Sequence, residues 1–247
     1  MLISLAIYLG TGLILSFTTL FVPFPTGVLL NNIGLYFFDP HTVLAMGGLY
    51  FLFGTSTRFF VFRKHLNFEL FKDLVPGSLI GGLGVTYLLI YVPEKIIMGL
   101  LLSFAFLYVL KNLFTSPPTI IPKKTKVSGF IAGLSTGMLS SVGGPGGTLR
   151  GAYLTNHVKN MQEYHAVTAA VSLCAGIANT TLRYTTWDIS WNFFFPFLLL
   201  IPIQLIIAIY GKKLLEHLAW KQKTFRFIVN AAVLASIVVI FPSLFDL

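Results

Sequence analysis

Charge is the first thing this sequence has little of. Only 10% of its 247 residues are Asp, Glu, Lys or Arg, against about 25% in a soluble domain. Hydrophobic residues make up 55%, in runs that recur along almost the whole length. A soluble core of this size could not bury so much apolar surface, so the expected surroundings are lipid. Cysteine is nearly missing as well. Cys174 stands alone in an apolar segment, which excludes a disulfide scaffold or a Cys-based zinc site and leaves a packed thiol. The five histidines (His41, His65, His157, His165, His217) are scattered, and no pair has the spacing of a helical metal site. Neither a metal nor a cofactor is expected.

What is present is apolar helix. The formal charge of +9 could suggest nucleic acid, but the basic residues sit mostly in short loops, where they act as a topogenic signal. No nucleic-acid partner is expected. Residues 2–22 have no basic region before them and no A-x-A-like site after them, so they read as a first span, not a leader. Further apolar runs fall at 26–38, 42–62, 70–91 and 95–114, then at 127–142, 147–158, 163–184, 189–210 and 225–245. The order long, short, long, long, long thus occurs twice. The linker between, 115–126, holds Pro117, Pro118 and Pro122 with Lys123, Lys124 and Lys126.

Weak echoes support a duplication. Pro25-Thr26-Gly27-Val28-Leu29 resembles Pro145-Gly146-Gly147-Thr148-Leu149, 120 residues later, and Leu66-Asn67-Phe68 resembles Ile189-Ser190-Trp191. If each half makes an odd number of crossings, one face collects Arg63, Lys64, Lys111, the linker lysines, Lys212, Lys213, Lys221, Lys223 and Arg226. The other keeps little beyond Lys95 and Arg183. That positive-inside bias favours odd parity, hence two inverted repeats, 1–114 and 127–247, around a cytoplasmic linker. The expected fold is all-α and polytopic, in the cell membrane, with both termini outside.

Chemistry is expected at the breaks. In Ser140-Ser141-Val142-Gly143-Gly144-Pro145-Gly146-Gly147-Thr148 the backbone cannot stay helical, and lipid offers it no partner, so it belongs inside protein or along a wet cavity. The helix resuming near Gly147 offers free N–H groups and a partial positive charge. The first half has its counterpart at Pro23, Pro25, Thr26 and Gly27, with Thr18 and Thr19 adding hydroxyls. All eight acidic residues fall at or near segment ends, whereas Arg58 and Arg150 lie inside apolar segments. A buried cation without a carboxylate needs an anion or backbone carbonyls as partner. Arg150 is the leading ligand candidate. Arg58 is open between ligand and snorkelling, and Arg183 is expected to snorkel. Asn31, Asn32, Asn156, Asn179, Thr180 and Thr181 are further polar candidates; such residues more often bridge helices than bind substrate, and Asn31 and Asn179 are the two carried as ligand candidates. Gly129, Gly133 and Gly137, like Gly77 and Gly81, read as helix-packing faces. Trp187, Trp191 and Trp220 suit interfacial anchors.

The duplicated pattern, Gly133-x3-Gly137 followed by Gly143-Gly144-Pro145-Gly146-Gly147, with Ile189-Ser190-Trp191 farther on, resembles the TauE/SafE family of sulfite and sulfonate exporters. The resemblance spans nearly the whole chain and implies export of sulfite, thiosulfate or an organosulfonate. The residues alone imply only an anion, carried by alternating access between the two breaks. A potential of roughly 100 mV, negative inside, favours outward movement of each negative charge by about 2.3 kcal/mol, so export needs no Asp/Glu relay. The expected partners are a small anion and the bilayer, with a homo-oligomer left open. Rival readings are a channel, an uptake permease and a non-transporting scaffold. No Ser or His occupies a recognised nucleophile context, so no catalytic residue is expected.

Overall fold

The computed structural model describes residues 2–18, 26–114, 125–144, 146–187, 189 and 194–215. Every regular element among them is helical. In chain order these are α1 (Leu2–Thr18), α2 (Thr26–Leu35), α3 (Pro40–Phe62), α4 (Phe68–Leu88), α5 (Glu94–Phe114), α6 (Lys126–Ser141), α7 (Gly146–Thr155), α8 (Met161–Thr186), α9 (Phe194–Leu198) and α10 (Leu200–Leu215). Single 3-10 turns, Arg63–His65 and Leu89–Tyr91, extend α3 and α4.

The first eight helices start within two residues of the expected runs, and polar caps set several of those starts. The Asp39 carboxylate accepts from Thr42 N at 2.8 Å with Pro40 in the first turn, and Asn67 accepts from the Glu69 and Leu70 amides. Thr125 and Ser128 close a capping box, and Asn160 accepts from Glu163 N. Such side chains satisfy the orphan amides of a first turn. In the ninth run the described helix covers Phe194–Leu198 and Leu200–Leu215, with a break at Leu199. Pro202 has no N–H to return to Leu198, which weakens the helix at that point and favours the break. The linker residues 115–124 and the run 225–245 lie outside the described residues, as do Trp191 and Trp220.

Three helical stretches are long and apolar enough to cross a membrane: Phe68–Tyr91, Met161–Thr186 and Phe194–Gly211. Large side chains such as Ile80, Phe106, Ile177 and Phe195 are exposed on the outside. The chain is a membrane protein. By contrast α2 and α7 have 10 residues each, which at 1.5 Å per residue is about 15 Å, half of a hydrocarbon core.

Packing follows the glycines. Helices α4 and α6 meet backbone to backbone: a Cβ on Gly133 would strike the Leu74 carbonyl, one on Gly137 the Ser78 carbonyl, and one on Gly77 the Phe130 carbonyl. These are the two small-residue faces expected from the sequence, and they face each other. Helix α3 packs on α8; α4 also packs on α8, and α10 on both α3 and α1. The short helices sit inside this frame, α2 against α1, α3 and α5, and α7 against α6 and α8.

Candidate functional site

The break between α6 and α7 is built by its glycines. Gly143 has φ +72°, its N–H bonds Ser140 O at 3.1 Å, and the Gly144 N–H bonds Leu139 O at 2.7 Å. That is a Schellman stop, which needs a residue free to take a left-handed conformation. The chain then restarts as α7 at Gly146. The start of α2 lies alongside: a Cβ on Gly27 would sit 3.8 Å from the Gly143 carbonyl, and the Asn31 amide packs against Gly143. The start of α2 therefore meets the α6–α7 break.

Where they meet, the helices line a cavity of about 230 Å³. That is below the roughly 300–1,000 Å³ of pockets for drug-sized ligands, and suits a small ion with some water. Thr26, Gly27 and Asn31 line it from α2, Gly143 and Gly144 from the break, and Gly147, Thr148 and Arg150 from α7. Arg58 lines it from α3, and Asn179 and Arg183 from α8. Three arginines face the cavity, and among the described residues the lining contains no carboxylate.

The arginines differ in their partners. Arg183 is 4% exposed; its Nη1 donates to Leu44 O and its Nη2 to Ser141 O, both at 2.6 Å, and its guanidinium lies over the Trp187 ring. The expectation that it snorkels is overturned: backbone carbonyls meet its charge inside the protein. Arg58 donates to Ser16 O at 3.1 Å. Arg150, 6% exposed, makes no hydrogen bond or ion pair among the described residues, and its Nε is buried without a partner.

Of the other expected ligands, Thr19, Pro25 and Pro145 lie outside the described residues. Gly146 is buried but does not line the cavity. A Cβ there would drive into Thr136 O and the Ser140 side chain, so its glycine serves helix packing. Asn179 has two roles: its Nδ2 donates to Ser141 Oγ at 3.1 Å, while its Oδ1 is buried without a partner. Asn156 is away from the cavity, exposed and bonded to Ala152 O. The sequence reading missed Tyr164, His165, Thr168 and Ser172, which line the cavity from the first half of α8. The recurrence of His165, Thr168 and Ser172 at three and four residues was the available signal.

A helical membrane protein with a small arginine-lined cavity beside a helix break has the build of a transporter. The family follows: the chain belongs to the sulfite exporter TauE/SafE family, whose model matches residues 7–240. No curated protein and no solved structure matches it significantly.

Proposed function

We propose that this protein exports a small oxidised sulfur anion, sulfite, thiosulfate or an organosulfonate, by alternating access at the cavity between α2 and α7. The observation that carries the reading is Arg150: a buried guanidinium that faces the cavity and has no protein partner among the described residues. A buried cation left this way is costly, and an oxyanion that offers two oxygens to the planar guanidinium fork is the partner that fits it. The starts of α2 and α7 add partial positive charge to the same space. Expected ligands are Arg150, Thr148, the Gly147 backbone, Thr26, Gly27 and Asn31, with Asn179 at the edge of the set.

The motion belongs to two inverted halves. Contacts support this pairing: α4 against α6 and α8 is mirrored by α10 against α1 and α3, α7 against α6 and α8 by α2 against α1 and α3, and α3 meets its counterpart α8. We place the protein in the cell membrane as a multi-pass chain, with the basic loops and linker in the cytoplasm and both termini outside.

Purified protein in liposomes loaded with labelled sulfite tests the reading. Efflux should saturate, and should rise with a potential negative inside. Ohmic conductance without saturation would make it a channel. No flux of sulfite, thiosulfate or a small sulfonate, together with no thermal shift on adding them, would sink the proposal.

A further inference from the structure

The two halves repeat more closely than their glycine and proline turns suggest. Leu9-Gly10-Thr11-Gly12-Leu13-Ile14-Leu15-Ser16 in α1 and Leu134-Ser135-Thr136-Gly137-Met138-Leu139-Ser140-Ser141 in α6 share Leu, Thr, Gly and Ser at a constant spacing of 125 residues. The same spacing joins α3 to α8: Thr55 to Thr180, and Arg58 to Arg183. The geometry repeats with it. Arg58 Nη2 donates to the carbonyl of Ser16, and Arg183 Nη2 donates to the carbonyl of Ser141. Each arginine therefore grips the equivalent serine in the last turn of its own half's first helix.

A helix's last carbonyls lack intrahelical donors and carry partial negative charge, so a cation stabilises them. Both serine hydroxyls are engaged elsewhere, that of Ser16 with Tyr50 and that of Ser141 with Gly82 O and Gly137 O. The carbonyls are left to the arginines. Beside each grip an amide faces a glycine, in swapped order. Asn179 of α8 fills the space over Gly82 of α4, and Gln204 of α10 fills that over Gly54 of α3. Arg183 also donates to Leu44 O, on α3 of the other half.

We infer that Arg58 and Arg183 are a matched pair of positioning residues that hold the ends of α1 and α6 at the two breaks. The Arg183–Leu44 bond is then a link between halves that must open when the cavity changes sides. The second part rests on the transport reading above; the first does not.

The test uses full-length protein in proteoliposomes, with Ser140→Cys as a reporter on the end of α6 in a Cys174→Ala background. Arg183→Gln should lower the maximal sulfite efflux about tenfold or more, the worth of one charge-assisted hydrogen bond. The KM and the sulfite dissociation constant should stay within about threefold. Without any anion, it should also change the rate at which a maleimide labels the reporter. Arg150→Gln should do the reverse, weakening sulfite binding while the labelling rate holds. Arg58→Gln should follow Arg183→Gln in flux. If a Gln variant fails to fold, Arg183→Lys is read instead. Its ammonium cannot hold both carbonyls as the guanidinium fork does, so labelling should shift in the same direction.

Loss of sulfite affinity in Arg183→Gln and Arg58→Gln to the extent seen in Arg150→Gln would make them ligands and overturn the inference. So would an unchanged labelling rate. If the parent protein moves no sulfite, the transport reading falls alone, and the labelling arm still decides whether the arginines hold the break.

Discussion

Helices α7 and α8 each bring a guanidinium to one cavity, Arg150 from the first and Arg183 from the second. Both are buried to nearly the same degree, yet their surroundings differ. Arg183 has a carbonyl at each end of its fork and an aromatic ring against its face. Among the described residues Arg150 has none of these. A charge held in low dielectric must be met by something, and at Arg183 the protein's own backbone meets it. At Arg150 no described residue does so. The difference separates a part that holds the frame from a part that waits for a ligand, although residue type, depth and cavity are shared.

The largest expected effect tests that separation directly. Arg150→Met should weaken sulfite binding about ten- to hundredfold, as one lost charge-assisted contact implies, while leaving the anion-free protein as stable as before or more so. Arg183→Met should lower the stability of the anion-free protein by about 2 kcal/mol, because two buried carbonyls lose a charged donor. Denaturation midpoints with and without sulfite report both. If Arg150→Met destabilises the empty protein as Arg183→Met does, Arg150 is held by protein and the contrast fails.

The grip of Arg183 is useful only if α6 itself is fixed. Gly137 of α6 lies against the Ser78 carbonyl with no room for a Cβ. Gly137→Val should therefore cost about 1–3 kcal/mol by overpacking, read as a lowered melting temperature. Sulfite should recover little of that loss, since the damage lies in the α4–α6 contact. Gly143→Ala should cost about 1–2 kcal/mol, because its φ of +72° is a left-handed conformation that a Cβ opposes. Asn31 also packs against this glycine, so sulfite affinity should fall with stability. Destabilisation with unchanged affinity would separate the break from the site.

Much of this frame is legible in the sequence. Helix starts follow from polar caps such as Asp39 before Pro40, and the α6–α7 break follows from its run of Gly and Pro. The matching glycine faces of α4 and α6 also show in their spacing of four. What could not be read is the fate of Arg183. It lies one turn before Trp187 near a segment end, the usual setting of a snorkelling side chain, and its real partners are carbonyls 139 and 42 residues away in sequence. Every residue has a carbonyl, so such a partner leaves no mark in composition or spacing. Gly146 misled for a related reason: a glycine that admits a ligand and one that admits a neighbouring helix look alike in sequence.

The smallest effect is expected at Ser141, where the two roles come closest. Its carbonyl serves Arg183, while its hydroxyl reaches Gly82 O at 3.0 Å and accepts from Asn179 at 3.1 Å. Ser141→Ala keeps the carbonyl and removes only the hydroxyl, so the arginine's hold should survive. Hydrogen bonds of this kind between membrane helices are worth about 0.6 kcal/mol, and the melting temperature should fall accordingly little. Sulfite affinity should not change, because the hydroxyl is already engaged by protein. A clear loss of affinity would mean that the hydroxyl orients Asn179 for the ligand, since the amide's Oδ1 has no protein partner. The boundary between frame and site would then run through Asn179 itself, and Arg150 would no longer be the single group that distinguishes them.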